Sequence, residues 1–193
     1  QGIANALYGI PSLLLYNNSK CNDKNEILFQ FLKVMTKQIQ GCREYMDGQA
    51  ITNAIYGFRY FKSDNMDKNV NIALRLVLGA LSTHVHKTTK QKKIKIRFSS
   101  QGLGIAMLGL QGMSSSIIEV SNMLSLLTVA LNECPEALDA QAVANMMLGL
   151  KSMSIEDEAV KDFLSCVVER VKDGHSHMHN NDIIESSLDV CLS

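Results

Sequence analysis

One ten-residue phrase occurs four times in this chain, and that recurrence restricts the fold more than any other property of the sequence. It reads QGIANALYGI from Gln1, QAITNAIYGF from Gln49, QGLGIAMLGL from Gln101 and QAVANMMLGL from Gln141, so successive copies begin 48, 52 and 40 residues apart. A period of that size marks a chain made of stacked supersecondary units, each unable to bury its apolar face alone. Counting the Gln as offset 0, apolar residues hold offsets 2, 5, 6, 9 and 12, the last being Leu13, Phe61, Met113 and Met153. Steps of three and four residues predict an amphipathic helix, helix A. Two residues before the Gln stand Asp47, Ser99 and Asp139, whose side-chain oxygens suit the free amides of a first helical turn.

Offset 8 is glycine in all four copies: Gly9, Gly57, Gly109 and Gly149. Because the apolar period runs on through offsets 9 and 12, the glycine is expected inside helix A, where it lets a neighbouring helix approach closely. A second amphipathic segment follows each motif, at 27–39, 70–85, 120–131 and 160–171. In the last, Val160, Phe163, Leu164, Val167, Val168 and Val171 make one stripe. The unit is helix A, loop, helix B. The expected fold is all-α, an α-solenoid of about four helix-pair repeats of roughly 40 residues, superhelical with a concave face. Residues 1–193 then form a single array, with repeats at 1–46, 47–96, 97–136 and 137–179 and a partial or capping repeat at 180–193 that uses Ile184, Leu188 and Cys191. The longer spacings place insertions at the helix-B ends or the A-to-B loops of the first two repeats, Asn17 to Asn25 and Lys87 to Arg97.

Composition agrees with helices. Leu, Met and Ala supply most apolar positions, there are two prolines and no Trp, and aromatics make up 6% of the chain. The five cysteines (Cys21, Cys42, Cys134, Cys166, Cys191) are odd in number and contain no Cys-x-x-Cys pair. That argues against a disulfide framework or zinc cluster and for reduced, mostly buried thiols. The longest apolar stretch, Ile117 to Leu131, is broken by Glu119 and Asn122 and is too short to span a bilayer, so no membrane insertion is expected. The chain opens inside a motif, so its natural amino terminus is expected to be missing and targeting is not legible.

Three residue sets carry possible chemistry. Gln1, Gln49, Gln101 and Gln141 at offset 0, with Asn5, Asn53 and Asn145 at offset 4, lie along one polar edge of helix A, where Ile105 replaces the Asn of the third copy. They either hydrogen-bond displayed bases or tie helix A to the loop before it. Lys87, Lys90, Lys92, Lys93, Lys95 and Arg97 fall in a segment with no acidic residue, in a chain of net charge zero. Such a run either makes a positive field for phosphates or is a solvated loop. Phe98 is the one aromatic residue adjacent to it, so no base-stacking platform is indicated there. His175, His177 and His179 alternate and could hold a transition metal or make a polar loop. Tyr8 and Tyr56 share offset 7 with Leu108 and Leu148, which reads as packing with the hydroxyls at the surface. No phosphate-binding glycine loop, nucleophile elbow or paired-carboxylate motif is present, so no enzyme, cofactor or small-molecule substrate is expected.

The phrase Gln-x-aliphatic-x-Asn-Ala-Leu-Tyr-Gly-aliphatic, followed by a helix B and repeated along essentially the whole chain, resembles the octotricopeptide and heptatricopeptide repeats. These occur in organellar proteins, some with a RAP domain or of the FAST-kinase-like group. Leu-Tyr-Gly-Ile at Leu7 to Ile10 and Met-Leu-Gly-Leu at Met147 to Leu150 stand where family copies often have Leu-Trp-Ala-Leu. The resemblance implies RNA binding in the mitochondrial matrix or plastid stroma, with helix A lining the groove, in RNA processing, stability or translation or at organellar ribosomes. A protein scaffold or a subunit of a large organellar assembly is the alternative it leaves.

Overall fold

The computed structural model describes residues 1–10, 22–62, 67–92 and 95–173, and among them every regular element is a helix. Seven are α1 (Gly2–Tyr8), α2 (Asn22–Gly41), α3 (Gly48–Tyr56), α4 (Lys68–Lys92), α5 (Ser100–Gly109), α6 (Ile118–Asn132) and α7 (Ala140–Gly149). The eighth, α8, spans 158–173. The odd-numbered helices are the repeated motif and the even-numbered ones the segments that follow it.

The odd helices have 7 to 10 residues, well short of what is stable alone in water. Capping and packing therefore hold them. Asp47, Ser99 and Asp139 are the N-caps: Asp47 Oδ1 accepts from Ala50 N at 2.8 Å, Ser99 Oγ from Gly102 N at 3.0 Å and Asp139 Oδ1 from Ala142 N at 2.6 Å. The expected caps are the observed ones. At α1, Gln1 occupies the cap position without a side-chain bond.

The helices pack in two rows. Contacts run α1 to α3 to α5 to α7 in one row and α2 to α4 to α6 in the other. α8 continues the second row, where Cys166 Sγ lies 3.1 Å from Asn132 Oδ1 at the end of α6. The Arg75–Glu119 pair, at 2.9 Å, also ties α4 to α6. One apolar cluster runs between the rows, from Ala4 and Leu7 through Ile51, Ile55 and Phe58, then Leu103 and Met107, to Phe163 and Val167.

The motif glycine is not interior as expected. Gly57 caps α3, and Gly109 and Gly149 are the last residues of α5 and α7. The chain then makes tight turns in which Phe58 N bonds to Ile55 O and Phe61 N to Phe58 O, with the same pattern at Leu110 and Met113 and at Leu150 and Met153. Such turns keep a three-residue step, so offset 9 stays buried without a continuing helix, and offset 12 is buried at Phe61 and Met113 and half-buried at Met153.

Close approach, the other half of that expectation, holds. A Cβ on Gly57 would strike the carbonyl oxygen of Leu7 and sit 2.7 Å from its carbonyl carbon. Gly109 stands in the same relation to Ile55, and Gly149 to Met107, each with the carbonyl carbon at 2.6 Å. Backbone angles do not require glycine, since Gly9 and Gly57 are right-handed. The requirement is space: offset 8 of each copy meets offset 6 of the copy before it. Gly9, with no described helix before α1, meets nothing nearer than 3.6 Å among the described residues.

One insertion falls at a helix-B end, as expected, and the other is partly helical. Asn22 to Asn25 form the first turn of α2, and residues 17–21 lie outside the described residues. Lys87 to Lys92 are the last turns of α4 rather than a loop. Burial of Val85 and Thr88 draws that helix onward, and lysine is a good helix former.

Candidate nucleic-acid interface

Offsets 0, 4 and 7 of the motif lie on the outward side of the odd helices. Gln1 and Asn5 are exposed, as are Gln49, Gln101 and Gln141, and Asn53 and Ile105 are half-buried. Within this row the amides satisfy one another: Gln49 Nε2 donates to Asn53 Oδ1 at 2.9 Å and Gln141 Nε2 to Asn145 Oδ1 at 3.1 Å. Asn145 is 9% exposed and its side chain rests against Gly104, where an added Cβ would lie 3.3 Å away. Asn5 and Asn53 thus present amide edges to solvent, while Asn145 is held between α5 and α7.

The basic residues occupy two kinds of backbone. Lys87 and Lys90 project from the exposed side of α4. Lys95 and Arg97 lie on an extended stretch that alternates with buried Ile96 and Phe98, so both point outward. Lys92 closes α4 and Lys93 lies outside the described residues. Lys95 Nζ is 2.9 Å from Glu133 Oε1, with the lysine side chain 77% exposed. An ion pair that exposed is worth at most about 1 kcal/mol and yields readily to a phosphate. A Cβ on Gly48 would lie 2.9 Å from the Arg97 carbonyl carbon, which puts the basic stretch beside the start of α3. Arg97 is therefore next to Gln49 in space and four residues from Gln101 in sequence, and there the amide row and the basic stretch meet.

At the opposite ends of the same helices stand Tyr8 and Tyr56, expected as packing with their hydroxyls at the surface, together with Arg59 and Tyr60, which the sequence pattern does not single out. Tyr8 and Tyr56 have ring centroids 5.8 Å apart. The Arg59 guanidinium lies 4.1 Å from the Tyr56 ring and 4.5 Å from that of Tyr60. Tyr8 is 47% and Tyr60 46% exposed. The sequence clue is Arg-Tyr three and four residues after Tyr56, but only the turn at Gly57 stacks the three side chains.

Other candidates resolve differently. His84 is buried, with Nε2 3.1 Å from the Glu44 carbonyl, and His175, His177 and His179 lie outside the described residues. No group of three or more metal-ligating side chains occurs among the described residues. Cys134 and Cys166 are buried free thiols and Cys42 is half-buried, while Cys21 and Cys191 are not described. Burial pushes the Cys166 thiol pKa up, Glu169 adds to the shift and Arg170 opposes it. A cavity of about 740 Å³ opens between α4 and α6 over Val85, His86, Ile96, Phe98, Leu126 and Val129. No described helix is long and apolar enough to cross a membrane. No family of known proteins matches this chain, and no curated protein or solved structure does either.

Proposed function

We propose that this chain is a non-enzymatic helical-repeat binding protein, an α-solenoid of four helix pairs that binds RNA in the mitochondrial matrix or plastid stroma. The observation that carries the reading is the interlock made three times at the same offsets, Gly57 on Leu7, Gly109 on Ile55 and Gly149 on Met107. Helices stacked in one register repeat their outward side chains at regular intervals, which suits an extended polymer with a repeating backbone. Along that side lie Gln1, Asn5, Gln49, Asn53, Gln101 and Gln141, with Arg97 beside the start of α3, while Lys87 and Lys95 line clefts on the even-numbered row and Lys90 is exposed on α4. Amides suit unpaired base edges and the cations suit phosphates. The resemblance to octotricopeptide repeats supports the ligand class and the compartment, with roles in RNA processing, stability or translation.

Titration with single-stranded RNA at two salt concentrations tests this. Six neutralised phosphates give a log–log salt slope of about −4, and replacing Lys90, Lys92, Lys93 and Lys95 by Ser flattens it. Exchanging Asn5 and Asn53 for Ala changes preference among RNA sequences and leaves the slope in place. The cavity between α4 and α6 favours a second reading, a scaffold that seats a protein segment in a larger organellar assembly. On that reading a well-folded chain binds no RNA even at low salt.

A further inference from the structure

We propose that Tyr8, Tyr56, Arg59 and Tyr60 form a stacking platform for an unpaired base of single-stranded RNA, with the outer face of Tyr60 as the seat. This rests on the RNA-binding reading above but adds a site that neither the amide row nor the basic stretch contains.

The four side chains make a ladder: the Tyr8 ring beside that of Tyr56, the Arg59 guanidinium over Tyr56, and Tyr60 on that guanidinium. Packing does not require it. Leu108 and Leu148 fill offset 7 in the third and fourth copies, so the motif accepts an aliphatic side chain where α1 and α3 carry Tyr8 and Tyr56. Tyr60 lies on the surface after the turn and contributes no buried ring to the core.

The ladder is held in place before any ligand arrives. Arg59 Nη1 donates to Tyr56 O at 3.3 Å, and Gln111 Nε2 of the next repeat donates to Arg59 O at 2.9 Å. Ser152 Oγ in turn donates to Gln111 O at 2.8 Å. Three consecutive A-to-B turns thus brace one another, and a braced aromatic surface loses little freedom when it binds.

Its chemistry matches a base carried on a phosphate backbone. Tyrosine faces stack on bases of any identity, and an always-charged guanidinium between two rings places positive potential beside the seat. Lys62, two residues on and exposed, adds a second cation at this edge. The platform stands at the end of α3 and Arg97 beside its start, so a strand crossing α3 meets a phosphate contact at one edge and a stacking surface at the other.

The test uses the full chain and a short single-stranded RNA carrying one 2-aminopurine, whose fluorescence falls when the base stacks. The expected result is quenching on binding, an affinity loss of about 5- to 150-fold in Tyr60→Ala, and affinity within about twofold of wild type in Tyr60→Phe. The salt slope of Tyr60→Ala should equal that of wild type, because stacking releases no counterions. Tyr8→Ala serves as a second variant, and unchanged melting midpoints show that both fold. If wild type binds RNA with the lysine-dependent slope while Tyr60→Ala binds equally well and no quenching occurs, the platform is wrong and RNA binding stands. If wild type binds no RNA at low salt, both fail.

Discussion

Replacing Gly109 by Ala adds a single methyl group at the point where two motif helices meet. The new Cβ would lie 2.6 Å from the Ile55 carbonyl carbon and 2.9 Å from the Tyr56 Cα, and closer still to the Ile55 oxygen. All three are backbone atoms, so no side chain can swing aside. Relief requires α5 to move from α3 by the better part of an ångström, opening gaps around Ile51, Ile55, Leu103 and Met107, all fully buried. Overpacking of this kind costs about 1–3 kcal/mol, and helix propensity returns less than about 1 kcal/mol at a terminal helical position. For a chain of this size the melting midpoint should fall by about 2–10 °C. Gly9→Ala is the internal control, because its methyl would meet nothing nearer than 3.6 Å among the described residues, and it should change stability by less than about 0.5 kcal/mol. Thermal and urea unfolding followed by far-ultraviolet circular dichroism gives both values. Equal midpoints for the two variants would refute the interlock.

Asp139→Ala removes the acceptor for Ala142 N and should cost about 1 kcal/mol in urea unfolding, while Asp139→Ser should restore most of it. The thiol pKa of Cys166 is raised above its unfolded value, chiefly by burial, so its stabilising contribution is fully present below the unfolded value and is lost as pH rises through the folded one. Urea midpoints should therefore fall on the alkaline side and fall less in Cys166→Ala, and a thiol reagent should modify Cys42 before Cys134 or Cys166.

The elements that local rules govern were legible in the sequence. Asp47, Ser99 and Asp139 announced their helices because capping is decided within three residues, and the even helices followed from their apolar stripes. The ends of the odd helices were not legible, since a tight turn through Phe58 and Phe61 keeps the same three-residue step as a helix. The lysine run concealed the end of α4: charge density suggests a loop, but burial of Thr88 continues the helix through Lys92. Asn145 shares an offset with Asn53 yet is buried against Gly104, a difference set by the neighbouring helix that no single repeat discloses. The tyrosine–arginine ladder depends on Tyr8 meeting Tyr56 across 48 residues, which becomes visible only when the repeats are stacked.

The most direct test of the central claim, that the outward side of the odd helices holds RNA, is photochemical. Single-stranded RNA containing 4-thiouridine is cross-linked to the full chain and the attachment sites are mapped by mass spectrometry. The account predicts cross-links on that side and its edges, at or next to Tyr8, Asn53, Tyr56, Tyr60 and Arg97. Cross-links confined to the even helices away from that edge, or none at low salt, would contradict it.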